Sequence, residues 1–435
     1  MEAFLLFFAF IVALVIFLTT GAPVGVSLGV VGILGIVIFG NPDQLARLGQ
    51  TAFARSSDFL FIVIPLFVLM GEVLSVGKIG QDLYTVAQRW VGRLPGSLAI
   101  ATIFACAAFG SVCGSSPVTA RTIGAISVPE MVKRGYDRRL ALGATAAGGT
   151  LGIMIPPSLS FIIYGIITET SVGKLFIAGI LPGILLACLL SATVAIVVMR
   201  QPALAPSLGT FTWKERISSL DRVWPTAVLS LAVLGTIYTG IATPTESAAV
   251  GALAALLLAL GMRRLNRAST VQVFLGTIKT SSMLMLIIVG GIFASFMLTR
   301  LGVAQEMAKA LTELPIGPWG VMIMISLLLL VFGMFLDPTS MMVITLPVFF
   351  PAIVRLGFDP IWFGIITTIN VEVAAITPPV GFNLFVMKGI VPGATMQQII
   401  AGAVWFVIPL CLGMVILSFF PQIALWLPSM MVPAR

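Results

Sequence analysis

Histidine is absent from the 435 residues, and charged residues make up only 9% of them. The first absence removes the commonest transition-metal ligand and the usual proton relay near neutral pH. Metalloenzyme and Ser-His hydrolase chemistries are therefore set aside. The second separates the chain from soluble domains, in which about a quarter of residues are charged. Cysteine is scarce: Cys106, Cys113, Cys188 and Cys411 lie in apolar segments without metal-ligand spacing and read as small buried hydrophobes. No GxxxxGK[ST] loop is present to cradle a nucleoside triphosphate. The sixteen Asp and Glu residues form no DDxxD-like cluster, which argues against an intramembrane prenyl- or phospholipid transferase. The net charge of +8 calls for no nucleic acid, because most of it falls in loops between apolar runs.

What the chain has instead is hydrophobicity, 59% of its residues, in several runs longer than the ~18 residues that mark a membrane-crossing helix. The alternating short segments of a β-barrel are missing. The expected class is an all-α polytopic membrane protein. The first run, "AFLLFFAFIVALVIFL", has no basic flank, only Glu2, and reads as a retained helix rather than a secretion signal.

The sequence also repeats itself. A shift of 222 residues lays Pro156 and Pro157 on Pro378 and Pro379, Pro129 on Pro351, and "KRGYD" (133–137) on "RLGFD" (355–359). Upstream, "GAPVGVSLG" (21–29) parallels "ATPTESAAVG" (242–251), and "LSVGKIGQD" (74–82) parallels "LTRLGVAQE" (298–306). Residues 1–199 are read as one repeat, with scaffold helices in 3–77, a re-entrant hairpin at 97–134, a broken helix at 139–170 and a last span at 176–199. Residues 200–222 are a cytoplasmic linker. Residues 223–435 are the second repeat, with scaffold helices in 224–299, a hairpin at 318–354, a broken helix at 361–387 and a final span at 398–420. The more polar segments 43–56 and 264–279 are expected as amphipathic arms on the membrane surface. With each hairpin entering and leaving on one side, each half crosses five times, so the second half is inverted. Placing the N-terminus outside puts sixteen of the 24 basic residues in the cytoplasm and seven outside, with Arg121 inside the first hairpin.

Inverted repeats with interrupted helices are a sign of secondary transporters, whose sites lie near the bilayer midplane. Half-helix ends offer carbonyls to a cation and N–H groups to an anion. The breaks "GGTLGIMIPPS" (148–158) and "NVEVAAITPPVG" (370–381) are therefore candidate sites, together with the hairpin tips "CGSSPVTART" (113–122) and "LDPTSMM" (336–342). Hydroxyls and freed carbonyls are hard donors, and few fixed charges suit a monovalent ion, so Na+ is expected. A first sodium site is assigned to Ser115, Ser116, Gly149, Gly152 and Pro156, and a second to Asp337, Thr339, Glu372, Thr377 and Pro378. Each tip is expected to meet its own half's broken helix. Substrate candidates are Ser116, Thr119, Arg121, Thr145, Asn370 and Asn383. Asp337 has two readings, cation ligand or cap of the following helix; Glu372 has two as well, an ion-coupling acid or a group on the scaffold side. Arg121 either faces a substrate carboxylate or pairs with an acidic neighbour. Glu246, after "TPT", reads as structural.

These motifs, "GSSP…TIG…PEMVKRGYD", "GGTLGIMIPPS", "TPTESAAVG", "FLDPTS" and "NVEVAAITPPVGFNLFV", resemble the large membrane subunit of the tripartite ATP-independent periplasmic (TRAP) transporters, the DctM-like family, over essentially the whole chain. The resemblance implies an elevator-type architecture of the ion-transporter superfamily kind, in which hairpins and broken helices form a mobile body against fixed scaffold helices. It implies sodium coupling and an organic anion such as a C4-dicarboxylate, a keto acid or a sialic acid. It also implies a small four-helix membrane subunit, expected as a separate polypeptide, a soluble periplasmic binding protein, and a place in the bacterial inner membrane with the N-terminus periplasmic. Arg121 departs from the family pattern, which has a small residue there. A stand-alone proton- or sodium-driven carrier of related architecture is the main alternative; a passive channel and an intramembrane enzyme fit less well.

Overall fold

The computed structural model describes residues 2–41, 43–206 and 211–431. Those residues are helical almost throughout, with no strand among them. The first half contains α1 (Glu2–Thr19), α2 (Val24–Phe39), α3 (Gln44–Ser56), α4 (Val63–Val76) and α5 (Ile79–Val91), then α6 (Ser97–Cys113), α7 (Ser116–Lys133), α8 (Arg138–Met154), α9 (Leu159–Thr168) and α10 (Val172–Arg200). A linker carries the short α11 (Trp213–Ser219). Four of its residues, 207–210, lie outside the described set, as does Arg435. The second half contains α12 (Trp224–Tyr238), α13 (Pro244–Gly261), α14 (Arg267–Arg300) and α15 (Val303–Thr312), then α16 (Gly317–Phe335), α17 (Pro338–Arg355), α18 (Pro360–Ala375), α19 (Phe382–Ile390), α20 (Met396–Phe419) and α21 (Gln422–Ser429). Seven of these helices, counting the short turn before α4 with it, are long and apolar enough to cross a membrane, or up to nine when bent pairs count as one span.

Residues 264–279 are not a separate surface arm. Asn266 caps a helix that runs unbroken for 34 residues, because no proline interrupts 267–300. In the first half, the corresponding stretch is split into α3 and α4. There Asp58 caps a short 3-10 turn at Phe59–Ile62, and Pro65 sits at the start of α4. Residues 44–56 do form a separate short helix, α3, and the segments that join scaffold to hairpin are α5 and α15. Both are short and two-faced, with Leu83 and Met307 turned inward and Gln81 and Glu306 outward.

α2 and α14 approach closely through small residues. A Cβ on Gly25 would stand 2.5 Å from the backbone of Leu286, and one on Gly290 would strike the Gly25 carbonyl. The ends of the molecule differ in chemistry. At one end, Arg264 Nη1 donates to Asp82 Oδ2 (2.5 Å) and to the Gly77 carbonyl (3.1 Å), with Arg222 at 3.9 Å from the same carboxylate. Nearby, the Asp137 N–H donates to the Leu204 carbonyl and Arg138 to the Pro392 carbonyl. A hydrogen bond from Arg139 holds the Asp137 carboxyl below the usual carboxylate range. At the opposite end a crevice of about 1580 Å³ opens between α14, the 51–61 segment and the start of α13 on one wall, and α9, α10 and α17 on the other.

Asp82 is nearly buried and ties the first arm to a loop of the other half. Asp82→Asn leaves the Arg264 guanidinium with a neutral partner. It is expected to destabilise the purified protein by about 1–2 kcal/mol, the cost of a buried pair discounted for the partly open Arg264. Thermal unfolding in detergent checks this: an unchanged midpoint would remove the assigned role.

Candidate functional site

The two interrupted helices and the two hairpin tips are built by local chemistry. α8 ends at Met154 because Pro156 and Pro157, joined by a cis bond, offer no N–H groups. The chain restarts when Ser158 caps α9, accepting from the Phe161 N–H (3.4 Å) and donating to the Ile153 carbonyl (2.5 Å). The helix axis turns by 43° across this break. In the second half, α18 ends at Ala375, Pro378–Pro379 is also cis, and α19 restarts after Gly381.

The first tip turns on Gly114, whose φ of 67° suits glycine and whose missing Cβ admits the Pro157 carbonyl. The Gly114 carbonyl accepts from the Leu159 N–H (3.1 Å), so tip and break are directly bonded. Gly152 of α8 lies against the same tip. A Cβ there would sit 2.5 Å from Thr119 Oγ1 and 2.9 Å from the Ser115 carbonyl. Thr119 Oγ1 is buried and makes no hydrogen bond. Gly149 faces Ala120 in the same seam. The second tip meets its own break through the Gly381 N–H, which donates to the Met334 carbonyl (3.1 Å).

A polar side chain reaches from one half to the other here. Asn383, fully buried on α19, donates to Ser116 Oγ (2.8 Å) and to the Ala146 carbonyl (3.1 Å), and its Oδ1 lies 3.1 Å from Ser116 Oγ. It therefore joins the second broken helix to both the first tip and the first broken helix.

The remaining candidates divide. Asp337 caps α17, accepting from the Thr339 and Ser340 N–H groups and from Ser340 Oγ. Thr377, just past the end of α18, donates back to the Val373 carbonyl (2.5 Å), while Thr145 donates to Ala141 and Asn370 to Ile366 within their own helices. Glu372 is fully buried with no hydrogen bond on either oxygen. Thr339 and Pro156 are buried; Ser115 is half-buried and makes no side-chain cap. Arg121 is exposed on α7, within electrostatic reach of Glu72, and is not among the residues gathered around Ser116. Glu246 forms a capping box with Thr243 at the head of α13. Sequence reasoning missed Gly114 and the Ala146 carbonyl. The first was signalled by the glycine ahead of "SSP"; a backbone acceptor leaves no sequence signal.

Residues 11–423 match the family described as "Tripartite ATP-independent periplasmic transporter, DctM component". The chain belongs to the DctM family. It is accordingly a transporter permease and not an enzyme. Among its relatives is a C4-dicarboxylate TRAP transporter large permease protein of Pseudomonas aeruginosa, 38% identical over 407 residues, covering 93% of this chain and 94% of the relative. Another is an ectoine TRAP transporter large permease protein of Halomonas elongata, 32% identical over 414 residues, covering 94% and 96%. The crystal structure of the Alcanivorax borkumensis YdaH transporter superposes with a TM-score of 0.65 over 89% of this chain and 90% of that one, at 14% identity. That likeness concerns the fold alone. The DctM-family chain thus builds its membrane-depth junction from an amide, a hydroxyl and backbone carbonyls.

Asn383→Leu strips Ser116 Oγ and the Ala146 carbonyl of their partner. A loss of about 1–3 kcal/mol in stability is expected, with transport reduced at least tenfold and membrane insertion retained. Expression, thermal unfolding and uptake, measured side by side, check it. Wild-type uptake in the variant would detach Asn383 from function.

Proposed function

We propose that this chain is the transport subunit of a sodium-coupled TRAP system that takes up a small organic acid anion, of the C4-dicarboxylate, keto-acid or sialic-acid type. The carrying observation is the Asn383–Ser116–Ala146 junction, which lies beside the unsatisfied Thr119 hydroxyl. Two interrupted helices and a hairpin tip converge there, with helix ends and the uncommitted Thr119 hydroxyl. The relative from Pseudomonas aeruginosa is named for C4-dicarboxylates, which supports the substrate class.

Sodium, as co-transported cargo, fits the first tip. Thr119 Oγ1 and the Ser115 carbonyl converge over the bare Gly152, the kind of hard-oxygen cradle a small cation takes. The second tip fits less well as drawn from the sequence. Asp337 spends its carboxylate on the α17 cap and Thr377 its proton on Val373, so Glu372 is the uncommitted group there. The hairpins and broken helices are read as a mobile body working against α2, α4, α13 and α14 in elevator fashion. The positive-inside rule places the Arg264–Asp82 end in the cytoplasm of a bacterial inner-membrane protein and the N-terminus in the periplasm. The crevice end then faces a soluble binding protein, and a small four-helix subunit completes the assembly.

Proteoliposomes holding the chain with its small subunit and binding protein test the proposal. Uptake is expected only with an inward sodium gradient and the binding protein present. Thr119→Val, which removes one cradle oxygen, is expected to raise the sodium concentration for half-maximal uptake roughly three- to tenfold, with substrate dependence little changed. Uptake that ignores sodium, or that proceeds without the binding protein, would favour a stand-alone carrier.

A further inference from the structure

The linker between the halves leaves α10 at Arg200 and enters α12 at Trp224. It belongs to the Asp82–Arg264 end, where Arg222 stands 3.9 Å from Asp82. A capping box of Thr212 and Glu215 starts α11. The segment Trp213–Arg222 then turns 55° from the axis of α12. It does not prolong that span but lies shallow, toward the plane of the membrane surface.

One face of this segment is apolar and uncovered. Trp213, Ile217 and Leu220 follow at helical spacing and are 67%, 61% and 45% exposed. Trp224 at the head of α12 and Trp90 near the end of α5 are exposed as well, so three of the seven tryptophans gather at this corner. The corner is built, not loose. Trp90 meets Trp213 edge to face with centroids 6.5 Å apart, and Arg89 donates to the Glu215 carbonyl (3.1 Å). Gly92 leaves room for Phe211, whose ring a Cβ there would meet at 2.8 Å. Cations surround the indoles. The Arg216 guanidinium lies 5.2 Å over the Trp213 ring, and its Nε, shut off from solvent, has no acceptor among the described residues. Lys214 and Arg93 are exposed and form no ion pair among the described residues. Of the segment's two acids, Glu215 is held by the Thr212 cap and Asp221 is exposed. The other arm lacks this set: beside α15, Lys309 pairs with Glu313 (3.9 Å), and Trp319 packs on Phe358 and Trp362.

We infer that the corner of α11 and α5 binds anionic phospholipid of the leaflet at the Asp82–Arg264 end, with Trp213, Ile217 and Trp90 set among the glycerol and upper acyl groups and Arg216 and Lys214 donating to headgroup phosphate. Indoles favour that depth because one edge is apolar and the other carries an N–H. The flanking cations complement a phosphate that carries a net negative charge, and a zwitterionic headgroup answers them less well. The unfilled Arg216 Nε then gains an acceptor. The bound lipid fastens α11, and through Trp90 and Arg89 the arm α5, to the membrane surface.

The full chain in phosphatidylcholine vesicles tests it, with a minor fraction of either brominated phosphatidylglycerol or brominated phosphatidylcholine as a contact quencher of indole fluorescence. The Trp213 contribution is the difference between the wild type and Trp213→Phe. Brominated phosphatidylglycerol is expected to quench it more strongly than brominated phosphatidylcholine at the same mole fraction. Lys214→Gln and Arg216→Gln are each expected to lower that preference roughly three- to fivefold, and Lys309→Gln, at the opposite end, to leave it unchanged. Three results overturn the inference: no preference in the wild type, a preference that survives in the Lys214→Gln, Arg216→Gln double variant, or an equal loss in Lys309→Gln. So does release of Trp213 from quenching when the purified small membrane subunit is reconstituted with the chain, which gives the face to a protein. The readout needs neither sodium nor substrate, so failure here is distinct from failure of sodium-coupled uptake.

Discussion

Backbone polarity at membrane depth is the constraint on which this structure depends. Hydrocarbon offers no hydrogen bonds, so every interrupted helix must find partners within the protein. The paired prolines of each break stop the helix, so N–H groups just beyond it lack a carbonyl in the preceding turn, and the neighbouring hairpin end supplies that acceptor: the Gly114 carbonyl for the Leu159 N–H and the Met334 carbonyl for the Gly381 N–H. The tips could not stand without the breaks, nor the breaks without the tips. Asn383 then fixes one half to the other through two hydrogen bonds on a single amide.

This dependence explains why unspent polar groups gather where regular structure stops. A continuous helix consumes its own carbonyls and leaves nothing for a ligand. Here the ends of α7 and α8 converge on Gly152, and the unpaired Thr119 hydroxyl is the residue of that convergence. Outside the junction the polar side chains behave conventionally. Thr145, Thr345, Thr368 and Asn370 all return their donors to their own helices.

Much of this was legible in the sequence, for reasons particular to certain residues. Doubled prolines within apolar runs have few explanations, and their recurrence after 222 residues exposed the repeat. The family motifs spanned the same breaks and tips. The arms α5 and α15 escaped notice because they are only 13 and 10 residues long and carry mixed polarity. The opening half of α14 was misread because its polar surface resembled that of α3, and continuity depends on the absence of a proline, a weak signal. Asp337 offered two roles, and only geometry distinguishes the cap from the ligand. The bond between Asn383 and Ser116 joins residues 267 apart in the chain, beyond the reach of any local pattern.

The choice of an amide at position 383 has an electrical side. Asn383 carries no net charge at any pH, so the join between halves neither attracts nor repels an ion. A carboxylate there would draw positive charge toward the junction, and a lysine would drive it away. Neutrality makes this fastening indifferent to the electrical state of its surroundings.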